Sequence, residues 1–188
     1  SNGTQILWDY NLSDYESVDG SLSVYKEKLI APVKSNTDPS WPSNSYMLAL
    51  NKNNGTLIWK YSLTDHEYRF ERSFPVIYAG KIFFLTSDKD WINTKVYAIN
   101  ETIGELVWQY NISNENPYGS PSIADSKVIV GTSNTTTMTT GRLRALDTEN
   151  GSLIWSYDSP SAIYSTPSII DNYIYLGNED GKIRIFKT

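Results

Sequence analysis

Ala98-Ile99-Asn100-Glu101-Thr102-Ile103-Gly104-Glu105-Leu106-Val107-Trp108 is the stretch on which the reading turns, because the chain contains it three times. Ala49-Leu50-Asn51-Lys52-Asn53-Asn54-Gly55-Thr56-Leu57-Ile58-Trp59 and Ala145-Leu146-Asp147-Thr148-Glu149-Asn150-Gly151-Ser152-Leu153-Ile154-Trp155 align with it without gaps. In every copy glycine follows alanine by six positions and tryptophan follows glycine by four. A tyrosine stands two residues further on: Tyr61, Tyr110 and Tyr157. The tryptophans are 49 (108 − 59) and 47 (155 − 108) residues apart, and Trp8 with Tyr10 lies 51 (59 − 8) upstream. Leu106, Trp108 and Tyr110 alternate, the pattern of a strand that buries one face.

A second marker keeps the same period. Pro75, Pro121 and Pro167 stand 46 residues apart, each behind a short polar or aromatic run (Ser73-Phe74, Ser120, Thr166). After each comes a short alternating run and then a pair with hairpin-turn chemistry: Ala79-Gly80, Asp125-Ser126 and Asp171-Asn172. Second strands are expected at 81–85, 127–130 and 173–176. Residues 21–25 and 28–31 read as a degraded copy without the proline. One unit is therefore strand, turn, strand, loop, strand, Asx/Gly turn, strand. Four short strands in 46 to 51 residues make one blade of a β-propeller. Helical periodicity is missing throughout. The expected fold is all-β, a β-propeller of about four four-stranded antiparallel blades.

Composition narrows the function. The chain of 188 residues is 13% aromatic and 20% charged, which excludes a disordered segment. Its net charge of −5 argues against a phosphate-backbone binder, so nucleic acid is not an expected partner. No run of 18 apolar residues is present, so no transmembrane helix is expected. Cysteine is absent, which excludes disulfides, thiol chemistry and cysteine-type zinc sites. The one histidine, His66, lies between two acids and reads as a solvated side chain rather than a base. The Ser1-Asn2 start without methionine reads as a processed end or the scar of an excised piece.

The three eleven-residue copies resemble the PQQ-like (quinoprotein-type) β-propeller repeat. That family carries an Ala, Asp, Thr-Gly, Trp pattern known as the tryptophan-docking motif. Here the Asp position holds Asn51, Asn100 and Asp147, and the Thr position has drifted to Asn54, Ile103 and Asn150. The resemblance implies that each indole packs on the glycine peptide of a neighbouring blade and bonds a main-chain carbonyl. Glycine would be needed there because any Cβ keeps a flat ring off the backbone. The implied structural docking set is Ala49, Gly55, Trp59, Ala98, Gly104, Trp108, Ala145, Gly151, Trp155 and Trp8.

The repeat defines a single domain, 1–188, with blades at approximately 20–61, 73–110, 119–157 and 165–188, the last completed by an outer strand at 4–12. Three closures are compatible with this cut: a four-blade ring, two chains pairing into eight blades as a homodimer, or an open arc belonging to a longer parent chain with further repeats. Open edges favour some pairing.

Loops on a propeller face are where binding is expected. Trp41 and Trp91 fall outside the repeated motif and are candidates to stack on a sugar, peptide or quinone ring; the alternative is loop padding. Arg72, Tyr118 and Tyr164 each stand three residues before a marker proline and converge on a channel mouth, as a ligand ring or as channel packing. No catalytic or metal-ligating residue is assigned. The resemblance also implies PQQ and calcium for the family's alcohol and sugar oxidisers. Asp88, Asp90, Glu179 and Asp180 show no spaced calcium-loop pattern, so no cofactor is expected. The family's non-enzymatic members include a bacterial barrel-assembly lipoprotein and extracytoplasmic sensor or surface domains. Seven Asn-x-Ser/Thr sequons, at Asn2, Asn11, Asn54, Asn100, Asn111, Asn134 and Asn150, point the same way. The expectation is a non-catalytic extracellular or cell-surface module that binds a protein or a small extracellular ligand. A quinoprotein-like oxidoreductase fragment and a purely structural repeat are the alternatives.

Overall fold

The computed structural model describes residues 4–35, 45–63, 68–70 and 73–188. The first sheet contains β1 (Glu16–Val18), β2 (Ser23–Tyr25), β3 (Lys28–Ser35), β4 (Tyr46–Asn51) and β5 (Leu57–Ser62). The second holds β6 (Tyr68–Phe70), β7 (Val76–Tyr78), β8 (Lys81–Asp88), β9 (Thr94–Asn100) and β10 (Leu106–Ile112). The third holds β11 (Glu115–Pro117), β12 (Ser122–Ala124), β13 (Lys127–Asn134), β14 (Gly141–Asp147) and β15 (Leu153–Ser159). The fourth consists of β16 (Ser168–Ile170), β17 (Tyr173–Gly177) and β18 (Ile183–Lys187). All pairings are antiparallel. The protein is thus the all-β run of four propeller sheets that the repeat period predicts.

The innermost strand of each of the first three sheets comes in two pieces that pair with successive halves of one long strand. In the third sheet, Pro117 opposes Thr132 while Ser122 opposes Ile129. Pro75 and Pro121 fall in the gaps of the second and third sheets, where a residue without an N–H interrupts a ladder. Residues 116–117, expected as a link between blades, are therefore strand.

Turn chemistry closes each unit. Ala79 and Gly80 have φ of 47° and 76°, and Asp125 and Ser126 have 44° and 57°. Both pairs have the double left-handed backbone that matches hairpin twist. After β4, β9 and β14 the Asx side chain caps the turn: Asn100 Oδ1 accepts from the N–H groups of Thr102 and Ile103, and Asp147 Oδ1 from those of Glu149 and Asn150. Asn and Asp serve equally here because only an acceptor oxygen is needed.

The core lies between the sheets. On β8, Ile82 and Phe84 face the first sheet and Phe83 and Leu85 face the third, so the run 82–85 is continuously apolar and buried on both sides. Across the first two junctions an indole meets a glycine. The Trp59 indole lies against Gly104 and donates to Glu101 O at 3.1 Å; Trp108 lies against Gly151 and donates to Thr148 O at 3.1 Å. Trp8 lies against Gly55 and donates to Lys52 O at 2.9 Å. Trp155 is different: it is half-buried and stacks on Phe186 with ring centroids 6.3 Å apart.

Segment 4–12, expected as the outer strand of the fourth sheet, has no strand pairing here. Trp8 and Leu12 are held to the first sheet, Leu12 against the cluster of Ala31, Val33, Tyr46 and Leu48. Ile6 and Leu7, just ahead of these anchors, are more than 80% exposed. Among the described residues β18 pairs only with β17, and no strand pairing joins the fourth sheet to the first.

Candidate ligand-binding recess

Two loops at equivalent places in consecutive sheets build the most elaborate surface site. The first, residues 89–93, follows β8. The Asp88 carboxylate accepts from Ile92 N (2.8 Å), Asn93 N (3.1 Å) and Asn93 Nδ2 (2.6 Å), and Trp91 N donates to Asp88 O at 3.2 Å. The second, residues 135–140, follows β13. There Asn134 Oδ1 accepts from Thr136 N and Thr137 N, both at 2.9 Å, and Met138 N donates to Asn134 O at 3.0 Å. Asp88 and Asn134 stand 46 residues apart (134 − 88), the period of the marker prolines.

Each loop lifts one large apolar side chain into solvent on a left-handed backbone: Trp91 at φ 60° and Met138 at φ 54°, 43% and 47% exposed. That conformation costs on the order of 1–3 kcal/mol for a residue with a Cβ and has to be over-determined by its surroundings. The hydrogen bonds to Asp88 and Asn134 supply this. The loops are also tied through Asn114, whose N–H donates to Asn93 Oδ1 at 3.2 Å and whose carbonyl accepts from Thr135 N at 3.1 Å.

Between the loops is a recess of about 350 Å³. Trp91, Ile92, Tyr118 and Met138 form its apolar walls. Asp90, Asn114, Thr135 and Thr136 provide the polar lining. Tyr118 also meets Tyr164 edge to face, with centroids 4.6 Å apart at 75°. Tyr164 opens onto a neighbouring shallow recess of about 390 Å³ with Glu179 and Lys182. Burial, with Glu179 nearby, pushes the Tyr164 hydroxyl up.

Just ahead of Tyr118, β11 is held by a buried ion pair. Arg144, almost fully buried, donates from both terminal nitrogens to Glu115, at 2.6 and 2.8 Å, and Thr132 Oγ1 donates to the same carboxylate. Burial pushes the Glu115 carboxyl up, but these hydrogen bonds and the charges of Arg144 and Arg142 outweigh it, and its pKa lies below the ordinary value. Asn116, in the middle of β11, accepts from Ser87 Oγ at 2.5 Å. Its Nδ2 is buried without a hydrogen-bond partner among the described residues.

Of the residues singled out from sequence, Trp91 and Tyr118 line one recess, and Tyr164 packs on Tyr118. Trp41, His66 and Arg72 lie outside the described residues. Asn114 and Met138 escaped the sequence reading. Met138 is the single apolar residue of a threonine-rich loop, and the 46-residue equivalence of Asp88 and Asn134 was the signal that could have found it.

The acids do not fit a calcium site of the kind that accompanies a quinone. Asp88 is committed to its loop, Asp90 pairs with Lys89 at 2.8 Å, and Asp180 pairs with Arg184. Among the described residues no three Asp, Glu or His side chains converge.

Successive antiparallel sheets of this length and period define a β-propeller of PQQ-like repeats. Residues 43–188 match the family described as outer membrane protein assembly factor BamB, and the chain belongs to that family. The fold is similar to that of BamB from Moraxella catarrhalis, at TM-score 0.67 and 20% identity over 96% of this chain. It is similar to quinohemoprotein alcohol dehydrogenase ADHIIG from Pseudomonas putida HK5, at TM-score 0.69 and 16% identity over 93% of this chain. The computationally designed Ika4 protein superposes at TM-score 0.64 and 14% identity, over 98% of this chain and 99% of its own. The chain spans 49% of the Moraxella protein and 30% of the dehydrogenase. No curated protein sequence matches it.

Proposed function

We propose that the domain is a non-catalytic binding module that works outside the cytoplasm and holds a protein or small extracellular ligand against the face formed by loops 89–93 and 135–140. The observation that carries this reading is the preformed recess: two apolar side chains held on strained backbone by dedicated carboxylate and amide acceptors. Residues held in sparsely populated backbone regions cluster at ligand clamps and active sites. The family's description as an assembly factor agrees with a partner-holding task. In this reading the indole–glycine contacts, with Ala49, Ala98 and Ala145 behind them, are scaffold. Sequons at Asn11, Asn54, Asn111 and Asn150 stand exposed, which suits an extracytoplasmic surface. The oxidoreductase reading draws no support from the acid side chains.

The test screens the whole chain against a displayed random-peptide library and an immobilised glycan array, each repeated on Trp91→Ala/Met138→Ala. At least one binder is expected, weakened about tenfold or more by the double substitution. Binders indifferent to the double substitution would overturn the reading, as would stoichiometric uptake of PQQ with calcium.

A further inference from the structure

Resting on the reading of this face as a binding surface, we propose that the recess between loops 89–93 and 135–140 takes a saccharide. The first argument is chemical. A pyranose has two flat apolar C–H faces and a rim of neutral hydroxyls, and it binds where an aromatic face stands beside side chains that donate and accept. The recess has that pairing: the Trp91 and Tyr118 rings beside Asn114, Thr135 and Thr136, which both donate and accept, and Asp90, which accepts.

The second argument is size and shape. At about 350 Å³ the recess lies at the small end of ligand sites, the scale of one or two sugar rings rather than of a protein segment. Its walls are loops, and the loop backbone is internally committed: Asn114 N to Asn93 Oδ1, Asn114 O to Thr135 N, Asn134 N to Thr140 O. An extended peptide laid there would find no open strand edge to pair its amides, and buried amides without partners are costly. A sugar brings no such amides.

The third argument is charge. Among the described residues the one carboxylate in the lining, Asp90, already faces the Lys89 ammonium at 2.8 Å, so the described lining carries no net charge to select a cationic or anionic group. Rigidity completes the case. Asp88 and Asn134 fix both loops before any ligand arrives, and a preformed aromatic platform loses little side-chain freedom on binding.

The experiment uses the full chain with glucose, galactose, mannose, N-acetylglucosamine and their di- to tetrasaccharides. Binding is followed by saturation-transfer NMR and by the indole N–H signal of Trp91, which Trp91→Phe identifies among the six tryptophans. Binding of at least one sugar class is expected, with the Trp91 indole signal shifting. Trp91→Ala should weaken it about tenfold, and Asn114→Ala about three- to tenfold, with melting temperatures unchanged for the Trp91 variant. Met138→Ala, in the facing loop, gives the same comparison should Asn114→Ala disturb the loop. No sugar binding at millimolar concentration, or binding that ignores Trp91→Ala, overturns the proposal. Peptides that bind and are lost in Trp91→Ala while no sugar binds would overturn the saccharide assignment and leave the binding face standing.

Discussion

The junction between the second and third sheets and the junction between the third and fourth start from the same sequence signal and end differently. At the former, Trp108 is 7% exposed, flat on Gly151, with its N–H satisfied by Thr148. Trp155 belongs to the third copy of the same motif, yet among the described residues no glycine lies against it and it leans on Phe186. An eleven-residue motif therefore specifies half of a contact. The other half is supplied by the next unit, and burial follows only where that unit presents its turn. This is nearest-neighbour stabilisation in a repeat architecture.

The largest test of this difference is truncation of the indoles. Trp108→Ala or Trp59→Ala should cost about 3–5 kcal/mol in denaturant unfolding, as for other large aromatics in cores. Trp155→Ala should cost about 1–2 kcal/mol, because less surface leaves water. Equal losses at both places would break the comparison.

The glycines sharpen it. Gly104 and Gly181 have nearly the same backbone, φ of 72° and 75°, but a Cβ on Gly104 would stand 2.6 Å from Trp59 Cδ2 while one on Gly181 meets nothing within 4 Å. Gly181→Ala should cost about 1–2 kcal/mol for the left-handed conformation alone. Gly104→Ala adds the clash and should cost about 2–4 kcal/mol. Calorimetry of the pair isolates the contact from the conformation.

The smallest effect concerns charge at the first junction. Glu101, nearly buried, takes Lys26 and Lys28 at 2.8 Å each, whereas Glu149 at the second junction meets Lys81 in the open. Burial pushes the Glu101 carboxyl up, but the two lysines outweigh it and its pKa falls below its ordinary 4.5. A depressed carboxyl contributes stability that is fully present above the ordinary value and is lost as pH falls through the folded-state value. The stability gap between the wild type and Glu101→Gln should therefore shrink between pH 7 and pH 3. A gap constant with pH would mean the contact is packing and not ionic.

The sheets were legible because the Ala–Gly–Trp spacing and the marker prolines repeat with one period. The split inner strands were not. The pieces at 68–70 and 115–117 are three residues long, too short to show alternation, and they pair only because the long strand opposite runs to Asp88 and Asn134. The recess was half legible. Trp91 stands out as an aromatic outside the repeated motif, and Tyr118 by its place three residues before a marker proline. Asn114 and Met138 matter through a fold that brings loops from two sheets together, and neither is marked locally. The unpaired state of 4–12 was illegible because the motif says where Trp8 seats and nothing of what its backbone pairs with.

The indole–glycine contacts give the chain a direction in time as well as in space. Trp59 precedes Gly104 by 45 residues and Trp108 precedes Gly151 by 43. During synthesis from the N-terminus, each sheet is completed with its indole bare, and it is sealed only after roughly one further unit has left the ribosome. Until that unit has emerged, the exposed Trp108 ring is available to whatever apolar surface comes first. The polypeptide thus carries its own order of assembly, each unit acting as the lid for the one made before it.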